Sequence, residues 1–241
     1  MSFVFVLAAA LQEVEVRTSA TRTGFSGSMT FDEREERGNG VDFSPDAGIV
    51  PGIEFIYWDR PHRMFLDVRR LALSGRETLD EERRWNETLF AAGETVHMRF
   101  NWDRVRLGIE IATKIDDSAF LTGIGALRYD IMRFMLDSDA HDKDDDTIGV
   151  LSVEGGVGFR GTISRDWLIE VDVRFIYSDL LADESAGAAG GLRIRWRPEP
   201  RVEISAGFEL EGLTVLKDER TERNRLSYLA GGPSLGLAIT F

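Results

Sequence analysis

The chain ends with Leu226-Ser-Tyr-Leu-Ala-Gly-Gly-Pro-Ser-Leu-Gly-Leu-Ala-Ile-Thr-Phe241, and this stretch decides the fold. Apolar residues alternate along it with small or polar ones, which is the pattern of a β-strand with two different faces. The alternation continues to the last residue, an aromatic one, whereas exposed chain ends are usually polar and frayed. One face holds Leu229, Leu235, Leu237, Ile239 and Phe241, and the other holds Tyr228, Ala230, Gly232, Ser234, Gly236, Ala238 and Thr240.

The last eight residues resemble the C-terminal β-signal that the assembly machinery of the bacterial outer membrane recognises. The pattern is polar-x-Gly-x-x-apolar-x-aromatic, and it is matched by Ser234, Gly236, Ile239 and Phe241. The resemblance implies an outer-membrane β-barrel and, during insertion, the β-barrel assembly machinery as a partner that pairs with the strand edge. We then expect the leucine face of this strand to contact lipid and the serine–glycine face to line the lumen.

The same alternation covers most of the chain, and helical periodicity is scarce. It is clearest from Trp167 to Tyr177, where odd-numbered residues are apolar and most even-numbered residues are polar, with Ile176 as the exception. Several strands exceed ten residues, which suits tilted membrane-spanning strands better than the usual strands of globular proteins. The pattern predicts an all-β fold, a single up-and-down antiparallel transmembrane β-barrel of about ten strands, with eight or twelve as alternatives.

The ten predicted strands cover residues 13–31, 49–58, 63–75, 95–113, 118–136, 147–163, 167–180, 187–197, 201–216 and 226–241. Short connections alternate with longer charged ones at 32–48, 76–94, 137–146, 181–186 and 217–225. This asymmetry predicts a bacterial outer-membrane location with long loops extracellular and both termini periplasmic. The alternation slips phase between Trp102 and Val105, which indicates a bulge or the membrane boundary.

Five tryptophans lie near predicted strand ends or loops, where an aromatic girdle would meet the membrane interfaces. For each of them the alternative is a core-filling role. They are Trp58, Trp85, Trp102, Trp167 and Trp196.

Composition narrows the function classes for this chain of 241 residues. The net charge of −13 argues against binding to nucleic acid, which needs a basic face. The absence of cysteine excludes disulfides and thiolate metal sites. Residues 1–10, ending in Ala8-Ala9-Ala10, are expected to be the remnant of a signal peptide, with a buried first strand as the alternative. Residues 11–241 then form one barrel domain.

A second, broader resemblance covers residues from about 41 to 113. Trp85-Asn-Glu-Thr-Leu-Phe-Ala-Ala-Gly-Glu-Thr-Val96, followed by Val105-Arg-Leu-Gly108, is similar to a loop-and-strand pair in poorly characterised outer-membrane barrel proteins of Gram-negative bacteria. The resemblance implies the same fold and location, and it brings no catalytic residue with it.

If the apolar faces point outward, the polar faces fill the lumen with both charge signs. A barrel of about ten strands is slightly wider than the eight-stranded kind whose interior is just filled by side chains. We expect paired charges and water in the lumen, with a narrow path for ions or small solutes as the alternative. The pairing of Arg193, Arg195 and Arg197 with the acidic strand 203–211 is the first to test. The expected set is Glu154, Arg160, Glu170, Asp172, Arg174, Arg193, Arg195, Glu203, Glu209 and Glu211, with Arg128 and Asp130.

Candidates for chemistry are sparse, and no cofactor is expected. His97 is the only candidate general base near the outer end of a predicted strand, yet no nucleophile or acid partner accompanies it in the sequence. Metal binding has weak candidates in one acidic loop, which lacks the ligand spacing of an EF-hand. Its carboxylates are Asp137, Asp139, Asp144 and Asp146.

These observations favour a non-enzymatic, porin-like membrane barrel that is a structural element, an adhesin-like surface protein or a narrow pore. Its surroundings would be outer-membrane lipid and lipopolysaccharide. A surface hydrolase acting on lipid or peptide is the first alternative. A soluble, lipocalin-like carrier is the second, and it would place the odd-numbered face of 167–177 inside.

Overall fold

A computed structural model describes residues 13–31, 39–43, 45–59, 61–85, 88–141, 144–180, 183–218 and 223–241. The expected signal-peptide remnant at 1–10 lies outside the described residues. Within these ranges, no helix is long and apolar enough to cross a membrane. The strands are β1 (Val14–Phe31), β2 (Asn39–Phe43), β3 (Gly48–Asp59), β4 (His62–Thr78), β5 (Arg83–Trp85), β6 (Thr88–Phe90), β7 (Thr95–Lys114), β8 (Ala119–Ser138), β9 (Asp144–Ser164), β10 (Trp167–Leu180), β11 (Asp183–Glu199), β12 (Val202–Asp218) and β13 (Arg223–Thr240).

Ten of these strands form a closed antiparallel barrel, in the order β1, β3, β4, β7, β8, β9, β10, β11, β12 and β13. The barrel closes where β13 pairs with β1, from Thr240 opposite Glu15 to Arg225 opposite Thr30. The predicted fold class is therefore confirmed, including the ten-strand count. β2 extends the pairing along the end of β1, and β5 and β6 form a separate two-stranded hairpin.

The register of the ten strands sets the shape of the barrel. Following paired residues once round from Val16 leads back to Ser28, twelve residues further along β1. With this stagger, strands spaced about 4.8 Å apart tilt by about 40° and enclose a barrel of roughly 10 Å radius. Each residue then advances about 2.5 Å along the barrel axis.

The connections differ at the two ends. Residues 60–61, 115–118, 165–166 and 200–201 join strands at one end, here called the short-turn rim, where the N–H of Phe241 donates to the carbonyl of Val14 at 2.8 Å. The opposite end is called the long-loop rim. Three predicted loops are shorter than expected, because the strands continue into them and leave 139–143, 181–182 and 219–222 as connections.

The outer surface of the short-turn half is apolar. On β10 the outward run from Trp167 to Tyr177 covers roughly 25 Å along the axis, the height of the apolar band on membrane barrels. The odd-numbered face of β10 is therefore outside, contrary to the carrier alternative. This surface, the apolar belt, consists of Ile53, Phe55, Tyr57, Met64, Leu66, Val68, Val105, Leu107, Ile109, Ile111, Leu121, Leu127, Tyr129, Ile131, Val153, Val157, Phe159, Ile163, Trp167, Val171, Val173, Phe175, Tyr177, Leu192, Ile194, Trp196, Ile204, Phe208, Leu210, Leu229, Leu235, Leu237, Ile239 and Phe241.

Strand β7 changes polarity part-way along its length without changing geometry. Its pairing with β4 and β8 is continuous, so the slip seen in the sequence is not a bulge. The outward residues are Thr95, His97, Arg99, Asn101, Asp103, Val105, Leu107, Ile109 and Ile111. The inward residues are Val96, Met98, Phe100, Trp102, Arg104, Arg106, Gly108, Glu110 and Ala112. Towards the short turns the strand is therefore apolar outside and charged inside, and towards the long loops it is polar outside and apolar inside.

The tryptophans divide between the two environments. Trp167 and Trp196 face outward at the edge of the belt, with ring centroids 6.2 Å apart. Trp58 stands on the inner face at the same rim, and Trp102 is buried inside, where its Nε1–H donates to Asp130 at 2.7 Å. The core-filling alternative thus holds for Trp102, because its position on β7 points inward. The side chain of Trp85 lies outside the description.

Candidate functional site in the barrel interior

The interior of the long-loop half is a hydrophobic core. Phe100 lies between Phe25 and Phe134, with ring centroids 4.8 Å and 4.6 Å away. Phe90 and Leu79, from the connection between β4 and β7, are also buried here. This apolar plug consists of Phe25, Val50, Leu71, Leu73, Leu79, Phe90, Val96, Met98, Phe100, Trp102, Met132, Phe134, Leu136, Ile148, Val150, Ile176, Ala189, Leu213, Val215, Leu226, Tyr228 and Ala230.

The interior of the short-turn half is a network of arginines and carboxylates. Two clusters of ion pairs are joined where Arg193 lies 3.2 Å from Glu209. The mouth cluster, next to the short turns, contains Arg17, Arg63, Arg160, Arg193, Arg195 and Arg197 with Glu15, Glu54, Glu110, Glu170 and Glu203. The inner cluster contains Arg69, Arg104, Arg106, Arg128 and Arg174 with Asp67, Asp130, Glu154, Asp172, Glu209 and Glu211.

Arg128 stands at the centre of the inner cluster and is fully buried. Its guanidinium lies 2.5 Å from Asp130, 2.6 Å from Glu211 and 3.4 Å from Glu154. Tyr228 links the network to the plug, because its hydroxyl donates to Glu211 at 2.7 Å while its ring packs against the plug. The network is thus anchored directly beneath the plug.

Glu154 and Glu170 each connect several strands. Arg106 donates to Glu154 through Nη2 at 2.6 Å and also bonds to it through Nε, in a fork geometry that carboxylates favour. Glu170 accepts a hydrogen bond from Arg195 at 3.1 Å and another from Arg63 at 3.5 Å. These contacts tie β4, β7, β9, β10 and β11 together through the lumen.

The network is balanced in charge, because its described members number eleven arginines and eleven carboxylates. Its cations are all arginine, which is always charged and holds several donors in a planar fork. Breaking one buried pair by removing a partner typically costs about 3–5 kcal/mol, since the other charge is left uncompensated. The chain's net charge of −13 therefore resides outside this network.

Little open space remains in the network. It contains cavities of about 60 Å³ and 50 Å³, each with room for about two water molecules. A larger cavity of about 290 Å³ opens at the short-turn rim. Between this cavity and the plug, the described lumen is occupied mainly by the paired side chains of the network.

His97 lies on the outward side of β7, beyond the apolar belt. Its register partners are Asp137 on β8 and Arg76 on β4. The nearby Asp137 carboxylate lies 3.7 Å from Arg99. His97 therefore stands on the outer wall rather than in a cleft of the described structure.

Another histidine lies beside a serine and a glutamate at the long-loop rim. Ser138 donates its hydroxyl proton to Glu94, and His141 Nε2 lies 3.8 Å from the same carboxylate. Because the serine donates to the carboxylate and not to an imidazole, this is not a nucleophile–base pair. The hydrogen bonds from Ser138 and from the Ala91 N–H lower the pKa of Glu94 below its usual range.

Of the eight described residues of the acidic segment 137–146, five lie in strands and three in the connection between them. Asp137 belongs to β8, while Asp144 and Asp146 belong to β9. The described residues contain no group of three or more histidine or carboxylate side chains placed to hold a metal ion. Asp139 lies in the connection between the two strands.

The C-terminal residues alternate between the two surfaces of β13. Leu235 and Phe241 are exposed on the outside, at 67% and 70%, and Ile239 lies on the same face. Ser234 is buried on the inner face, which Gly236 shares.

Of the 22 described members of the network, sequence reasoning placed twelve in the lumen, named Arg197 as a pairing partner and missed nine. All its expected members from 154 to 211, with Arg128 and Asp130, lie in the network. Missed were the charges of β1, β3, β4 and β7, where the same alternation was the available signal and only β7 shows a change of phase. These residues are Glu15, Arg17, Glu54, Arg63, Asp67, Arg69, Arg104, Arg106 and Glu110. The plug was missed as well.

Comparisons with solved structures show the fold. The outer membrane protease OmpT from Escherichia coli is similar at a TM-score of 0.59 and 8% identity, over 96% of this chain and 97% of that chain. The translocator domain of the autotransporter NalP from Neisseria meningitidis is similar at a TM-score of 0.49 and 12% identity, over 98% and 92%. No family model matches the chain, and no curated protein matches it. At these identities the likeness extends to the barrel fold alone.

Proposed function

We propose that this chain is an integral protein of the bacterial outer membrane that conducts no solute and serves as a structural or surface-interaction barrel. The observation that carries the proposal is the polarity change along β7. A wall that is apolar outside and charged inside suits lipid, and one that is polar outside and apolar inside suits water. The short-turn half is then embedded, and the long-loop half stands in water beyond the membrane surface.

Two features of the interior support the non-conducting assignment over the narrow pore. The apolar plug closes the long-loop half with aromatic side chains in contact. Beneath it, ion-paired side chains occupy the lumen, and the two cavities among them each have room for about two waters. A conducting lumen would need mobile water along its length, whereas these side chains are held by packing and by mutual ion pairs.

Conductance in planar lipid bilayers tests this assignment. The refolded protein is expected to give no unitary current steps above those of protein-free membranes, with a known porin as the positive control. A variant with Phe100→Ala and Phe134→Ala removes two aromatic rings from the plug. Its conductance in the same bilayers checks whether the plug is the barrier to ions. Reproducible current steps from the wild-type protein would overturn the proposal.

The membrane location has its own test. The protein is expected to remain in the membrane fraction of Gram-negative cells after an alkaline carbonate wash. It is also expected to migrate differently on gels before and after boiling. Recovery of the folded protein in detergent-free aqueous solution would contradict the proposal.

The orientation and the assembly signal follow from the same proposal. The short-turn rim and both termini face the periplasm, the long loops face outward among lipopolysaccharide, and the assembly machinery recognises Ser234, Gly236, Ile239 and Phe241. Phe241→Ala is expected to lower the folded fraction in cells while leaving refolding into lipid in vitro nearly unchanged. Leu229→Ala, on the same face of the same strand, is the matched control. Equal folded fractions of Phe241→Ala and Leu229→Ala in cells would show that Phe241 has no special role as an assembly signal.

A further inference from the structure

The cavity of about 290 Å³ at the short-turn rim is larger than the two inside the network. Its size lies near the lower limit of ligand pockets, which is about 300 Å³. Aromatic and aliphatic side chains form much of its wall, namely Trp58, Phe120 and Leu168, with Pro61 and Pro200 from two short turns. The cavity therefore presents an apolar surface at the short-turn rim, against which an apolar part of a ligand could pack.

Charged side chains complete the wall. Arg160, Arg195 and Arg197 line the cavity together with Glu15. Arg195 is paired with two carboxylates, since it lies 3.1 Å from both Glu170 and Glu203. The cations thus outnumber the carboxylates in the lining itself.

Arg197 has the most capacity left for a ligand. Its side chain is 38% exposed, against 2% for Arg195. Its contact with Glu203 is 3.3 Å long, and Glu203 is shared with Arg17 and Arg195. One carboxylate is therefore divided among three guanidinium groups, of which Arg197 is the outermost.

Arg160 is held in place from several sides. Its Nη2 donates to the carbonyl of Pro61 at 2.7 Å and lies 3.3 Å from Glu110. Its guanidinium also lies over the rings of Trp58 and Phe120, at 5.1 Å and 5.8 Å from their centroids. Within the described part of the chain its Nε–H has no hydrogen-bond partner.

We propose that this cavity binds a small amphipathic carboxylate, with an aromatic or short alkyl body. The apolar body packs against Phe120, Leu168 and Trp58, and the carboxylate pairs with Arg197 and reaches Arg160. The site is separate from the plug and goes beyond the proposed structural role, because it would bind whether or not the barrel conducts.

Binding of 2-naphthoate to the refolded protein in lipid nanodiscs tests the proposal, with empty nanodiscs subtracted for partitioning. Saturable binding at one site per chain is expected by equilibrium dialysis. Arg197→Gln is expected to weaken it roughly tenfold, as a hydrogen bond to a charged group is worth about 1.5–3 kcal/mol. Arg165→Gln removes an exposed arginine from another short turn outside the cavity lining and is expected to leave binding unchanged.

A neutral analogue and a wall variant separate the two parts of the site. 2-Naphthalenemethanol is expected to bind at least tenfold more weakly, and Phe120→Ala to weaken 2-naphthoate with its heat-modifiable migration retained. Absence of saturable binding to the wild-type protein would overturn the proposal. Equal binding of the alcohol and the carboxylate, or an unaffected Arg197→Gln variant, would overturn the anion site.

Discussion

An arginine placed on the outer face of β7 measures where the apolar belt ends. Leu107 faces outward, 54% exposed, with Val105 and Ile109 next to it on the same face. Asn101 lies on that face too, six residues nearer the long-loop rim, which is roughly 15 Å along the axis at about 2.5 Å per residue. The outward residue between Asn101 and Val105 is Asp103, so Asn101 lies beyond the belt.

The two positions therefore predict different costs for the same substitution. Arginine on the lipid face costs about 2–4 kcal/mol near the middle of a bilayer and about 0–1 kcal/mol near its interfaces. We expect Leu107→Arg to lower the free energy of unfolding by about 2–4 kcal/mol and Asn101→Arg by about 0–1 kcal/mol. Both side chains point away from the network, so the difference reports the environment outside the barrel.

The assay is equilibrium unfolding by guanidinium in lipid vesicles, followed by tryptophan fluorescence, with free energies from linear extrapolation. The slope of the free energy of unfolding against guanidinium concentration should be the same in the wild-type protein and in both variants. An unchanged slope would show that the substitutions leave the surface exposed on unfolding unchanged. Equal costs at the two positions would refute the placement of the belt and, with it, the embedded short-turn half.

Three further changes have defined outcomes. Arg128→Met leaves three carboxylates without their shared cation and is expected to lower the free energy of unfolding by about 3–5 kcal/mol in the same assay. Gly232→Ala places a methyl carbon 1.8 Å from the Arg22 carbonyl across the β1–β13 seam, whereas Gly155→Ala meets nothing within 4 Å. The first should therefore lower the yield of heat-modifiable barrel, and the second should not. The protection factor of the Ala91 amide against hydrogen exchange should be constant above the ordinary carboxyl pKa and decrease as pH falls through the lowered pKa of Glu94, because protonation weakens the hydrogen bond that this carboxylate accepts from the Ala91 N–H. In Glu94→Gln this pH dependence should be absent, and its persistence would assign it to another group.

The barrel itself was readable from the sequence, and β10 and β13 show why. Successive residues of a strand point to opposite faces, so the alternation in Trp167–Tyr177 and Leu235–Phe241 predicted a sheet with one apolar and one polar face without any tertiary information. The ten strands were also placed correctly, although the strands extend further towards the long-loop rim than predicted. There the outward residues become polar and turn-like, as at Asp179 and Asp137, while the pairing continues.

The interior was readable only in part. Glu154, Glu170 and Arg195 could be assigned to the lumen because their strands alternate cleanly. The predicted pairing of Arg193, Arg195 and Arg197 with the acidic strand 203–211 is confirmed, because the first contacts Glu209 and the other two contact Glu203. Partners across the lumen could not be predicted, since Arg104 meets Glu211 and Arg63 meets Glu170 from strands that are not neighbours. The plug was missed because Phe100 and Trp102 occupy inward positions whose polarity is opposite to that of Arg104 and Arg106 on the same strand.

By itself, the sequence predicted a wall with one apolar and one polar face, a strand number of about ten and the rim at which the last strand ends, and the structure settled the number at ten. These follow from local alternation and from the lengths of the connections, which each strand carries independently of its neighbours. The tertiary structure decided which charges meet, where the lumen is closed and where the polarity of the wall reverses. Those depend on the twelve-residue stagger of ten tilted strands, because it alone sets which inward residues share a height along the axis.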